Sequence, residues 1–510
     1  MALAGRSIFG PTENLGERMR LEATTIDIGT SRPLVLLNTF DADELGAHPL
    51  DRVRIGWEGE TTTGIVKRTD ELVEPGIVGV TEPLHHVHGD VGITLAGTPP
   101  SVRCVRKKLD DVELGRAELE RIVRDVHEHR LSDVELSAFV SAVYANGLSL
   151  AETKHLTEAM SGVGQRLQWD RPVVADKHSI GGVAGNCVTP IMVAIVTEAG
   201  VTMPKTSSRA VTSPAGTADV MEVLSDVEFS IDEIERIVTD TNGCLVWGGG
   251  VDLSPVDDEI IRAENPLSID PEGLLMASVL SKKQSAGSTN VVIDIPYGEG
   301  AKVESLVAAR ELADDFKRVG DHLEMDVSCA ITHGTDPIGR GIGPVLEARD
   351  VLAVLEGNGP DSLRLKSLRL AEMLLEHCGV DASATEILDS GKALEQFRTI
   401  VAAQGGDPDV ESTDLEPGEE STTVRADRAG ITSRVDNRQL SDLARRAGAP
   451  RDSGAGLVVH RTVGDEVELG DRLYTIHAET ESKLEEAVSF ADQLEPIRVR
   501  SKADALIERR

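Results

Sequence analysis

The chain has 510 residues, 87 of them Asp or Glu and 52 Lys or Arg, for a formal net charge of −35. At about 150 residues per domain, this length predicts roughly three domains with buried cores. The carboxylate surplus argues against nucleic acid as a partner, and an apolar fraction of 40% excludes a disordered acidic tail.

Only 14 of the basic residues are Lys, against 38 Arg, and aromatic residues make up 3%. That balance suits a protein kept soluble in concentrated salt, where screening over a few Å removes the self-repulsion of a carboxylate surface. Five cysteines (Cys104, Cys187, Cys244, Cys329, Cys378) form no CxxC pair, so neither a disulfide framework nor a Cys-based zinc site is expected. No basic start precedes a short apolar core, and no apolar run approaches about 20 residues. A soluble, unprocessed, cytoplasmic protein with no membrane contact is expected.

In chain order, residues 1–97 read as a β-rich domain. Its strand-like runs are Thr25–Ile28, Leu34–Leu37, Asp51–Ile55 and Ile77–Val80, separated by Gly and Pro. Residues 101–168 turn helical: Leu119, Ile122, Val123 and Val126 share a face, and Ser132-x-x-Glu135 and Ser149-x-x-Glu152 are capping boxes. A stretch at about 254–287 completes this helical lobe. Residues 172–253 and 288–406 alternate strands with helices, which predicts a mostly parallel sheet. Here an apolar helix is expected from about 183 to 199, and the strand Val291–Ile295 is followed by a helix from about 301. The segment Asp407–Glu420 holds seven acids, two prolines and no base, and reads as a linker to an α/β domain over 421–510. The fold class is thus multidomain α/β, a helical lobe plus a mostly parallel α/β lobe between two smaller domains.

Asp176-Lys177-His178-Ser179-Ile180-Gly181-Gly182-Val183 carries the densest chemistry. Two glycines permit a tight turn, a following helix start supplies N–H groups, Lys177 adds a charge and Ser179 a hydroxyl. Together they predict an oxyanion site, most simply for phosphate, although Lys precedes the glycines and no Walker loop is present. A second donor array follows: Ser207-Ser208-Arg209-Ala210-Val211-Thr212-Ser213-Pro214-Ala215-Gly216-Thr217, with five hydroxyls and one Arg in eleven residues. Two such arrays on successive βα units converge at the carboxyl ends of a parallel sheet.

These two segments, with Ser278-Val279-Leu280-Ser281-Lys282-Lys283, resemble the thymidine and pyrimidine nucleoside phosphorylase family over roughly residues 100 to 490. The β-rich extension, Trp247-Gly248-Gly249-Gly250 and Pro266-Leu267-Ser268-Ile269-Asp270-Pro271 look like the archaeal branch of that family, which acts on AMP. The resemblance implies phosphorolysis of AMP to adenine and ribose 1,5-bisphosphate in nucleotide catabolism or salvage, with AMP and inorganic phosphate as substrates. It implies no metal or cofactor, and a homodimer or larger assembly. Lys177, Ser179 and Thr217 would hold phosphate. Gly182, Ser208, Arg209, Ala210, Val211, Thr212, Ser213, Thr217, Ser278 and Lys302 would bind substrate, with Lys302 facing the 5′-phosphate. Asp270 would protonate the departing base, a role that calls for burial beside Leu267 and Ile269 to keep its proton. From the residues alone, Asp270 reads as the cap of a helix after Pro271.

Other readings stay open. A pyrimidine-contacting Arg has no counterpart in register, since Arg262 is out of step by about one residue, and guanine or cytosine could replace adenine. A nucleoside phosphorylase and a non-catalytic nucleotide-binding protein are the rivals. Leu84-His85-His86-Val87-His88 reads as exposed imidazoles rather than a metal site, because no carboxylate or Cys has ligand spacing. Gly339–Gly343 reads as a structural turn. Val463–Asp471 resembles a carrier hairpin, but no Lys lies between Lys392 and Lys483 to receive a cofactor.

Overall fold

The computed structural model describes residues 19–30, 32–210, 213–251 and 253–501. The chain divides into two compact units, residues 1–147 with 259–271, and residues 148–258 with 272–510.

In the first unit, strands β1 (Met19–Thr25), β2 (Leu34–Asn38), β3 (Arg52–Trp57), β4 (Glu60–Thr69), β5 (Ile77–Val80) and β6 (Gly89–Ala96) close into a barrel of order β1-β5-β2-β4-β3-β6. Closure leaves no edge strand, and alternate residues such as Val35, Leu37, Val53, Ile55, Val78 and Val80 fill the interior. Of the expected run Thr25–Ile28, only Thr25 is strand, as the last residue of β1. Pairing stops where β5 ends at Val80, whose carbonyl accepts the Ile26 N–H at 2.9 Å. Helices Ser101–Leu109, Arg116–His127 and Asp133–Asn146 follow, with Leu119, Ile122, Val123 and Val126 buried as their spacing predicts. Ser132 and Glu135 form the expected capping box. Buried Arg32 joins Asp133 and Glu259, each at 2.7 Å. His85, His86 and His88 are exposed, and no cluster of metal-binding side chains occurs among the described residues.

The second unit is built on parallel strands β7 (Ala175–Ser179), β8 (Met203–Ser207), β9 (Gly243–Trp247), β10 (Asn290–Tyr297) and β11 (Asp326–His333). They pair in the orders β11-β10-β7 and β8-β9, and a bridge between Val174 and Thr202 joins the two rows. Helix Thr189–Glu198, apolar on every side, is buried among Val351, Leu374 and Ile400. Helices Glu272–Ser285 and Leu306–His322 pack on β10 through Met276, Leu280, Leu312 and Phe316, and Ser149 with Glu152 caps helix Leu150–Val163.

Two helices start later than the sequence suggests. The one expected at 183 begins at Thr189, because Gly185 turns left-handed (φ +67°) and the Ala184 N–H is spent on Asn437 Oδ1 at 3.2 Å. The one expected at 301 begins at Leu306, because Val303 pairs back onto Tyr297 and the Ser305 hydroxyl caps the Ala308 N–H.

The remaining strands are β12 (Gly341–Ile342), β13 (Glu420–Arg425), β14 (Gly430–Val435), β15 (Gly456–Val459), β16 (Glu466–Val467), β17 (Arg472–Ala478) and β18 (Ile497–Arg500). They form sheets β12-β15-β17-β13 and β16-β14-β18, covered by helices Asn437–Ala447 and Glu481–Ala491. Residues 407–419 are irregular but fastened: Val410 and Leu415 pack on the core, and Ser412 N donates to Glu356 at 2.7 Å. No helix among the described residues is long and apolar enough to cross a membrane.

Candidate active site

Alternation along β7 sends its charged residues to opposite faces of the sheet. On one face lies Asp176, fully buried, which meets Lys283 at 2.9 Å and Lys205 at 3.6 Å and accepts from Ser288 Oγ and its neighbour's N–H. Burial pushes the Asp176 carboxyl up, but the two lysines outweigh it and hold it below its ordinary value. Desolvation, then the charges of Lys283, Lys282, Lys205 and Lys177, keep the His178 imidazole neutral, well below its ordinary value.

On the other face lie Lys177 and Ser179. Their register partners on β10 are Val292 and Asp294. Asp294 is a hub: its Oδ2 accepts from Ser179 Oγ at 2.9 Å and from Asn186 Nδ2 at 3.4 Å, and its Oδ1 accepts from Thr332 Oγ1 at 2.6 Å. Lys366, from helix Asp361–His377, places its ammonium 2.9 Å from Asp294 Oδ2. Asn186 also donates to Ser179 Oγ at 3.1 Å. Burial raises the Asp294 carboxyl, yet Lys366 and Lys177 hold it below its ordinary value. Lys177 is 1% exposed, and burial pulls its ammonium down to about 8 against the attraction of Asp294. Two ammonium groups around one carboxylate leave a surplus positive charge beside a hydroxyl, which is what a bound anion would neutralise.

The loops that follow β7 and β10 meet. Gly182 has φ +85°, and a Cβ there would sit 2.6 Å from the Lys302 N, so the β7 and β10 loops touch through a glycine. Lys302 lies within a turn closed by Gly298 N to Val303 O at 2.9 Å, and it is exposed. In the β8 loop, one oxygen of Asp219 accepts the N–H groups of Ala210 and Gly216, both at 2.7 Å. Gly216 is required there, since a Cβ would meet Ser208 O at 2.4 Å. Thr217 opens the short helix Thr217–Glu222 and is half-buried, while Ser213 donates to Ala215 O. Val211 and Thr212 lie outside the described residues. The Arg209 guanidinium is taken up by Glu222 and by Glu228 at 3.0 Å, and it covers the Trp247 ring at 4.8 Å. Its charge pins the β8 loop to the end of β9.

Ser278 is half-buried on helix Glu272–Ser285, and its carbonyl accepts from Ser281 Oγ at 3.2 Å. Lys282 on the same helix pairs with Asp257 at 2.6 Å. Asp270 belongs to the first unit, and the expectation that it is buried is not met: Asp270 is exposed and Leu267 is 53% exposed. A three-residue 3₁₀ turn, Asn265–Leu267, ends at Ser268 in the left-handed region, too short to cover the carboxyl. Asp294, Thr332, Asn186 and Lys366 are the site residues that motif reading missed.

Residues 102–163 match the helical bundle domain of the glycosyl transferase family, 171–260 its a/b domain, and 431–497 the pyrimidine nucleoside phosphorylase C-terminal domain. The chain is 61% identical to the AMP phosphorylase of Natronomonas pharaonis, over 96% of this chain and 100% of that one. It is 46% identical to the AMP phosphorylase of Thermococcus kodakarensis (94% and 98% covered) and 44% identical to that of Pyrococcus furiosus (96% and 100%). Anthranilate phosphoribosyltransferase from Thermus thermophilus shares the fold, with a TM-score of 0.51 at 18% identity over 59% of this chain and 99% of that one. With full-length identity of this order on both sides, the chain belongs to the AMP phosphorylase family.

Proposed function

We propose that the protein cleaves AMP with inorganic phosphate, giving adenine and ribose 1,5-bisphosphate. A phosphate oxygen bonds to C1′ as the C1′–N9 bond breaks, the bonding pair leaves with adenine, and the base takes up a proton, for which the exposed Asp270 is the proposed donor once bound substrate shields its carboxyl from water. The sugar passes through a state with oxocarbenium character. Lys177, Ser179 and Thr217 hold the nucleophile, and fixing it behind C1′ replaces a bimolecular encounter with a positioned one. The observation that carries this reading is the buried Lys177–Asp294–Lys366 group, with its surplus positive charge beside Ser179, in a chain 61% identical to an AMP phosphorylase. Lys302, held against Gly182, supplies a cation for a 5′-phosphate that a nucleoside lacks. Backbone and side-chain donors of residues 208–213 and Ser278 complete the substrate site.

The test is a panel of nucleoside monophosphates and nucleosides with phosphate in molar KCl, following base release by chromatography. AMP is expected to lead. Equal or faster turnover of adenosine or thymidine overturns the reading.

A further inference from the structure

We propose that the second unit holds a second anion site, made of none of the residues around Lys177, for a small, multiply phosphorylated ligand without an aromatic ring. Strands β12, β15, β17 and β13 are neighbours of alternating direction. The start of β12, the end of β15, the start of β17 and the end of β13 therefore lie at one end of the sheet. Each carries an arginine there: Arg340, Arg461, Arg472 and Arg425. Strands spaced about 4.8 Å apart bring four guanidinium groups within reach of one ligand. Together with His460, Gly470 and Asp471 they line a cavity of about 400 Å³.

The charge there opposes that of the molecule. Four arginines face one carboxylate, Asp471, a local balance of +3 in a chain of net −35. Asp471 is itself spent, 3.0 Å from Arg461 and accepting the Glu468 N–H. Arg425 donates to Gly470 O at 3.0 Å, and the buried Arg461 Nε meets no acceptor among the described residues. Arg340 and Arg472 form no ion pair among the described residues. Burial, then Arg472, Arg461 and Arg340, hold the His460 imidazole below its ordinary value, as expected beside uncompensated positive charge.

The frame is fixed by backbone. Asp350 accepts the N–H groups of Arg340 and Gly341 at 2.6 and 2.7 Å, Val459 N donates to Arg340 O, and His460 N to Leu473 O, both at 2.8 Å. Guanidinium forks match phosphate oxygens two at a time. The lining offers no aromatic carbocycle or aliphatic side chain on which a base would stack, and His460 is engaged with Thr475 Oγ1 at 2.8 Å. This favours a polyphosphate or sugar phosphate over a nucleotide.

Pyrophosphate is the probe, titrated calorimetrically into the full-length K177Q variant, in which the Lys177 site is disabled. One pyrophosphate per chain is expected. Adding R340Q and R472Q should weaken binding at least tenfold, with R425Q alone acting in the same direction. Both arginines are exposed, and matched thermal melts confirm folding. AMP, whose proposed contacts to Lys302 and Ser278 remain in K177Q, should bind equally well with and without R340Q and R472Q. Unchanged pyrophosphate affinity in the arginine variants, no pyrophosphate binding to K177Q, or an equal loss of AMP affinity in the arginine variants would each overturn the proposal.

Discussion

The ammonium of Lys366 lies 2.9 Å from the carboxylate of Asp294, and that same carboxylate holds the hydroxyl of Ser179. A helix late in the chain thus positions the hydroxyl of the phosphate motif. Asp294→Asn strands two buried ammonium groups without their counter-charge, which costs about 3–5 kcal/mol. A lower denaturation midpoint and a raised KM for phosphate are expected together. Lys366→Met removes one of the two cations and should raise KM for phosphate while lowering the midpoint less. If KM for phosphate is unchanged in Lys366→Met, the lysine serves the fold alone.

The pH response has two opposite signs. Lys177 titrates at about 8 in the folded chain, against about 10.4 when unfolded. Between those values the unfolded state binds more protons, so this residue makes the fold more stable as pH rises. Phosphate capture needs the charged form, so KM for phosphate should climb above pH 8. Both slopes should flatten in Lys177→Met, measured by denaturation and by initial rates; a KM that stays flat in the parent enzyme removes Lys177 from phosphate binding.

Gly182→Ala tests the contact between the β7 and β10 loops. The new Cβ would meet the Lys302 N at 2.6 Å in a left-handed conformation. Backbone strain of about 1–3 kcal/mol is expected. A shift of about 1 Å at the reacting centre lowers kcat/KM by about 100-fold. Activity near that of the parent would show that the loops need not touch.

Arg209→Ala frees the β8 loop from Glu222, Glu228 and Trp247. The ion pairs are partly exposed, so stability should fall by about 1 kcal/mol or less. The larger effect is expected in KM for AMP, because the described part of the loop, Ser208–Ala210, loses its anchor. An unaltered KM in steady-state kinetics counts against a positioning role.

Much of this site was legible in the chain. The motif Asp176–Val183 identified Lys177 and Ser179, and the run Ser278–Lys283 carried Lys283, which shares Asp176 with Lys205. The hub escaped for a physical reason. Asp294 sits in the apolar run Val291–Ile295, where periodicity registers a strand and passes over one acid, although a buried carboxylate in such a run breaks a local rule and signals function. Lys366 had no cue at all, because its partner is on a distant strand and its helix reads as ordinary. The burial expected of Asp270 failed because apolar neighbours in sequence do not bury a residue when the turn that carries them is three residues long.

The surplus ammonium beside Asp294 has a bearing on handling. Without an anion, like charges stand together in the interior, so phosphate bound there would act as a structural component. Material prepared without phosphate should be the most fragile form, and added phosphate should raise the melting temperature in step with its occupancy.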